Sequence, residues 1–189
     1  MFQFFCKRKG AIFMKKSIGV RGAYLLFSEQ EEIELRESCS KEGVEILFFG
    51  EDSIQASFDS FIEIILNDEM LRAVAVGLVV ELLKELIIKI LAVIKNKKIV
   101  KVESAGKISP ATITIKASTK KGIIYQEVSD EIFDKKFYKS IKKIIEAKRI
   151  LDTNEKDGLN DLYIVENSIG DLEILTLREY IEYRKHKKE

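Results

Sequence analysis

The sequence predicts an α+β fold: a mostly antiparallel sheet packed against two long helices, with a C-terminal hairpin and a short helix. Three observations carry this. Residues 72–94, RAVAVGLVVELLKELIIKILAVI, are apolar at helical spacing, and ATITIKAS (111–118) alternates strictly between apolar and polar positions. Residues 129–151 place Phe133, Phe137, Ile141, Ile144 and Ile145 on one helical face, with Asp130, Glu131 and Asp134 at the start and Lys148 and Arg149 at the end. With 189 residues, 46% hydrophobic and 33% charged, the chain can bury a core as one domain.

In chain order, residues 1–16 read as a flexible extension, and Met14, followed by Lys15 and Lys16, is an alternative start to Met1. MFQFFCKRKGAIF has its apolar and charged residues in the wrong order for a secretory leader. AYLLF (23–27) reads as a buried strand. Ser28 with Glu31 three residues later is a capping box that predicts a helix over about 29–40. VEILFF (44–49) is a strand, and SFDSFIEIIL (57–66) a helix or a passage from strand to helix. Asn67 and Asp68 can cap the helix that follows.

On a helical wheel, Glu81, Lys84, Glu85, Lys89 and Lys95 share one sector, and the rest of the circumference is apolar. A membrane span is excluded, because four of these charges would lie at bilayer depth at about 2.5–3.5 kcal/mol each. AVAVGLVV (73–80) is apolar all round, so it needs cover on every side, from the sheet and neighbouring segments or from a second subunit.

KIVKVES (98–104), ATITIKAS and GIIYQEV (122–128) then read as strands. Ile113, Ile115 and Ala117 face the core, and Lys116 lies on the opposite, wet face. After the 129–151 helix, DTNEKDGLND (152–161) is a loop, and LYIVE (162–166) and LEILTL (172–177) form a hairpin. Thr176 and Glu179 make a second capping box before a charged final helix. The expected sheet takes the strands near 23, 44, 98, 111 and 123, with helices 70–95 and 130–150 against it. The main domain is 17–151, and 152–189 is appended to it.

Few chemistries are encoded. The lone histidine, His186, sits in a charged tail, which argues against histidine-based nucleophilic catalysis and histidine-rich metal sites. Cys6 and Cys39 have no metal or disulfide spacing and suit a reducing cytoplasm. Gly106–Lys107 lacks the earlier glycine and the following Ser or Thr of a phosphate loop. GVRG (19–22) lacks the order of a dinucleotide site, its strand being expected to follow it. The 152–161 loop lacks two calcium ligands, at Thr153 and Ile164. Glu51 and Asp52, with Asp59 or Glu63, are a magnesium-nuclease constellation without a matching strand lysine. No catalytic residue, metal ligand or cofactor is expected.

The net charge of +1 conceals an asymmetry. Residues 28–71 hold 13 acidic and 2 basic side chains, and residues 95–149 hold 15 basic and 6 acidic. Lys116, Lys120, Lys121, Lys135, Lys139, Lys142 and Lys143 are a candidate nucleic-acid surface, with Tyr125 or Tyr138 for stacking. Only Arg149 among those fifteen cations is arginine, and the isoelectric point is near 7.6; both are poor marks for a dedicated nucleic-acid binder.

The layout of AVAVGLVVELLKELIIKIL, followed by KIVKVES, ATITIKAS and a closing helix, resembles the small effector-associated accessory domains of bacterial conflict systems, over about residues 20–150. The resemblance implies an adaptor or accessory component. Taken together, the expectation is a non-enzymatic cytoplasmic interaction module that self-associates through Val74, Val76, Leu78 and Val80. Nucleic-acid binding through the lysines is the rival.

Overall fold

The computed structural model describes residues 15–22, 26–49, 62–102, 108–110, 112–128, 130–153 and 161–186. In order these form β1 (Ser17–Arg21), α1 (Glu29–Lys41), β2 (Glu45–Phe49), β3 (Ile62–Leu66), α2 (Asp68–Ala75) and α3 (Val80–Asn96). There follow β4 (Val100–Val102), β5 (Ile108–Pro110), β6 (Ile113–Ser118), β7 (Ile123–Val128), α4 (Asp130–Thr153), β8 (Leu162–Glu166), β9 (Leu172–Thr176) and α5 (Leu177–His186).

Seven strands make one sheet in the order β2-β1-β3-β6-β7-β8-β9. The pairings β1–β2, β3–β6 and β7–β8 are parallel, while β1–β3, β6–β7 and β8–β9 are antiparallel. The sheet is therefore mixed rather than mostly antiparallel. The reason lies in the connections: α1 bridges β1 to β2, α4 bridges β7 to β8, and α2 with α3 lies between β3 and β6. A helical crossover returns the chain in the same direction, which makes the two strands parallel.

Three further expectations are corrected. The first described strand is SIGVR; Ile18 and Val20 are fully buried at period two, and Gly22 leaves the strand with φ +77°. Among the described elements β1 thus precedes α1 here, and the sequence between them has no glycine-rich phosphate loop. β4 does not join the main sheet but pairs with β5, Val100 facing Pro110, in a separate hairpin. The 70–95 helix is two helices, broken at Gly77. In the 57–66 segment, IEIIL is a strand; its earlier residues, and those of AYLLF before Leu26, lie outside the described residues.

One hydrophobic core runs the length of the sheet. Ile18, Val20, Ile62, Ile64, Leu66, Ile113, Ile115, Ala117, Ile124, Leu162 and Ile164 project from one face and meet α1 to α4. α3 contributes Leu83, Leu86, Ile87, Ile90, Leu91 and Ile94, all buried. Its charged stripe is the solvent side: Glu81, Glu85, Lys89 and Lys95 are exposed. Most of the broad apolar face of α3 is thus covered inside the chain, and no helix among the described residues is long and apolar enough to cross a membrane. α5 packs on the opposite face of the sheet, since its Tyr180 stacks on Tyr163, which alternates with the core residues Leu162 and Ile164.

Candidate functional site

The break between α2 and α3 leaves two neighbouring apolar side chains uncovered, while Ile108 and Ile169 are exposed singly elsewhere. Asn67 starts α2 by accepting from the Met70 amide at 2.8 Å, and the same oxygen accepts from the Ser17 amide at 3.2 Å. Its amide nitrogen donates to the Lys15 carbonyl at 2.8 Å, so one residue fixes both the helix start and the entry to β1. At the other end the Gly77 amide donates to the Val74 carbonyl and the Leu78 amide to the Ala73 carbonyl, both at 3.0 Å. This is the Schellman pattern, with Gly77 at φ +81° as the left-handed residue. A Cβ at Gly77 would meet nothing within 4 Å, so backbone conformation alone selects glycine there.

The turn is held from both sides. Val74 and Val79 are each 2% exposed, while between them Val76 is 71% and Leu78 69% exposed. Two aliphatic side chains are thus presented to solvent by a capped, anchored turn. Of the four expected interface residues, Val76 and Leu78 are accessible, Val80 is half-buried and Val74 is core. The helical periodicity of the sequence placed them on one helix, and the signal that separates them is the glycine in VAVGLVV.

The expected lysine surface is not continuous. Lys116 projects from the face of β6 opposite α4, where it is 14% exposed and its ammonium lies 2.5 Å from Oε1 of Glu63. Lys120 and Lys121 are exposed at the β6–β7 turn, and Lys139 and Lys142 on the outer side of α4. The side chain of Lys135 lies outside the described residues. Lys116 is thus separated from the α4 lysines by the thickness of the sheet.

Sequence reasoning missed what Lys116 joins. Glu63, 1% exposed, also accepts from Nη1 of Arg21 at 2.7 Å. Each of its oxygens engages a cation. The row continues across the sheet: the Lys116 ammonium sits 5.6 Å from the Tyr125 ring centroid, and Tyr125 stacks on Tyr163 at 5.0 Å and 10°. Tyr163 stacks on Tyr180 at 4.2 Å and 7°. Both faces of Tyr125 are therefore occupied, which removes it as a platform for a nucleobase. Burial, reinforced by Asp161, Tyr163 and Glu63, pushes its phenol up to about 12, so it stays protonated at neutral pH. The available signal was a lone Glu in the apolar run FIEIIL, which as a strand must bury a carboxylate and find it a partner.

Tyr138 is exposed but tethered. Its hydroxyl donates to Glu81 at 2.7 Å and the Lys84 ammonium lies 5.2 Å from its ring, which ties α4 to the start of α3. A cleft of about 490 Å³ between α1 and β2 is lined by Lys15, Arg36, Ser40 and Glu45 among others. Arg36 there is already committed, donating to the Ile46 carbonyl at 3.0 Å and lying over Phe48. Among the described residues no group of three or more His, Cys, Asp or Glu could hold a metal ion. Cys39 is a buried free thiol whose pKa is raised by burial, and His186 is exposed at the end of α5. Glu51, Asp52, Asp59 and most of the 152–161 loop lie outside the described residues.

Comparison with protein-family models, with curated proteins and with solved structures gives no significant match. The functional reading therefore rests on the geometry of this chain alone.

Proposed function

We propose that the protein is a non-enzymatic, cytoplasmic interaction module that self-associates, with the Val76–Gly77–Leu78 turn as a contact element. The observation that carries this is the pair of exposed aliphatic side chains on a turn anchored by Val74 and Val79. Large apolar side chains held rigidly outward lose little entropy on docking and gain the full burial of their surface, which is how a small contact becomes favourable. The absence of a histidine other than His186, together with the pairing of Glu63 with two cations, supports a role other than catalysis.

The nucleic-acid reading loses its centre, because Lys116 and Tyr125 are engaged within the sheet. The test is light scattering coupled to size exclusion on the wild type and on Val76→Ser/Leu78→Ser. The expected result is a wild-type species heavier than one chain of 21.7 kDa and a variant with single-chain mass. A wild type that is monomeric at every concentration would overturn the proposal. So would a variant that assembles as the wild type does.

A further inference from the structure

The charge asymmetry of the sequence becomes a surface property at two helices. On α1 the residues opposite the buried Leu35 and Cys39 are Glu29, Ile33 and Glu37, with Glu34 beside them, all exposed. On α4 the side opposite the buried Phe137, Ile144 and Ala147 carries Lys139, Lys142 and Arg149, also exposed. Glu29, Glu34, Glu37, Lys142 and Arg149 make no ion pair among the described residues. Lys139 makes only a 3.9 Å exposed contact with Asp171, a kind of pair worth little. Each outer face also carries one opposite charge, Lys41 on α1 and Glu146 on α4, so α1 keeps a net acidic and α4 a net basic stripe.

Both stripes face the same way. α1 and α4 bury their inner faces in the same core on the same side of the sheet, and α3 lies between them: it starts at Tyr138 of α4, through Glu81, and at its far end Lys97 donates to the Leu26 carbonyl just before α1. α1 packs on β2, at one edge of the seven-stranded order, and α4 on β7, β8 and β9 at the other. At about 4.8 Å per strand the two stripes stand roughly 20–25 Å apart. That exceeds the Debye length of about 8 Å at physiological ionic strength, so within one molecule they do not neutralise each other.

From this placement we infer that two copies of the chain meet helical layer to helical layer about a two-fold axis, the acidic stripe of α1 in each copy lying against the basic stripe of α4 in the other. Two complementary patches at opposite ends of one face are satisfied twice by a single two-fold rotation, and the assembly closes as a dimer. Ile88, exposed on α3 between the two stripes, supplies apolar surface near the axis, with the charged stripes as the rim. Charges so arranged set the orientation and the rate of encounter more than the affinity. The inference rests on the self-association proposed above and adds the helical layer as a contact surface beside the Val76–Leu78 turn.

Charge reversal in trans tests it. One variant carries Lys139→Glu/Lys142→Glu and is acidic on both stripes; the other carries Glu34→Lys/Glu37→Lys and is basic on both. Each is expected to run as a folded monomer with the circular dichroism of the wild type, its melting temperature lower only by the lost association. Their equimolar mixture, and the variant carrying all four changes, are expected to recover a particle of twice the chain mass. The wild-type dimer is expected to weaken between about 0.01 M and about 1 M salt, as the Debye length falls from about 30 to about 3 Å. A wild-type assembly unaffected by either reversal would overturn this arrangement while leaving self-association in place, whereas a monomeric wild type would overturn both. Open polymers in place of a dimer would also overturn it. So would a monomer whose α4 lysines instead bind a labelled oligonucleotide.

Discussion

Glu63 on β3 and Lys116 on β6 form a buried ion pair at 2.5 Å across two parallel strands, and Arg21 closes on the other carboxylate oxygen from β1. The three residues cross-link three adjacent strands on the face opposite the main core. Removing Glu63 leaves two cations side by side with little water to screen them, Lys116 being 14% and Arg21 24% exposed. Glu63→Ala is expected to lower unfolding free energy by about 3–5 kcal/mol, whereas replacing all three residues by leucine costs much less. Urea denaturation of both variants checks this, and equal losses would assign the effect to packing rather than charge.

Gly77 is expected to tolerate no side chain without strain, although there is room for one. Gly77→Ala should cost about 1–2 kcal/mol through its left-handed backbone alone, and Gly77→Asn less. Val76→Ser and Leu78→Ser, which remove no buried contact, should stay within about 0.5 kcal/mol of wild type. Thermal melts at matched concentration separate the two classes. A large loss for the exposed pair would mean that these side chains serve folding rather than association.

Asn67 carries more than an ordinary cap, because it also engages the Ser17 amide and the Lys15 carbonyl. Asn67→Ala is expected to cost about 2 kcal/mol, the upper end for a cap residue. Hydrogen exchange should quicken at Met70 and at the start of β1 together. Exchange altered at Met70 alone would show the link to β1 to be incidental.

Stability should fall at both ends of the pH scale, for opposite reasons. Glu31 and Glu179 have pKa values held below their ordinary 4.5, first by hydrogen bonds from the backbone of Ser28 and Thr176 and then from those hydroxyls. Their contribution is present above pH 4.5 and is lost as pH drops through the depressed values, fraying the first turns of α1 and α5. Tyr125 has the reverse sign: its folded value near 12 lies above the ordinary 10.0, so stability is retained below pH 10 and declines between 10 and 12. Phenolate absorbance followed alongside circular dichroism checks the alkaline arm, where Tyr125 should ionise last and with unfolding.

The elements were far more legible than their connections. Both capping boxes form as the sequence predicts, Ser28 with Glu31 and Thr176 with Glu179. The alternation of ATITIKAS also sends Ile113, Ile115 and Ala117 inward. Period and cap chemistry are local, and they are written in adjacent residues. Pairing is not: nothing near KIVKVES tells that its partner is ISP rather than ATITIKAS, and the direction of β1 against β3 depends on where α1 and β2 go. SIGVR is hard to read as a strand because Gly19 within it and Gly22 just after it lower strand propensity. Glycine nevertheless suits this position, since a Cβ there would fall 2.7 Å from the Phe49 ring and 3.3 Å from Cβ of Ile65 and would displace the ring. For the candidate site, the apolar residues of the turn were named, but their separation into anchors and exposed tips depended on reading Gly77 as a helix stop.

The alternating parallel pairs of the sheet bear on how the chain reaches this state. β3 can pair with β6 only after α2, α3 and the β4–β5 hairpin have emerged between them, and β7 must wait for all of α4 before β8 can join it. Such sequence-distant pairings raise contact order and slow the search for the native topology. On the ribosome, β1, α1, β2 and β3 emerge first, with the far edge of β3 unpaired and Glu63 lacking its Lys116. The interval before β6 arrives is when the nascent protein is most prone to pair with a neighbour, and the charge on Glu63 is then its principal defence against aggregation.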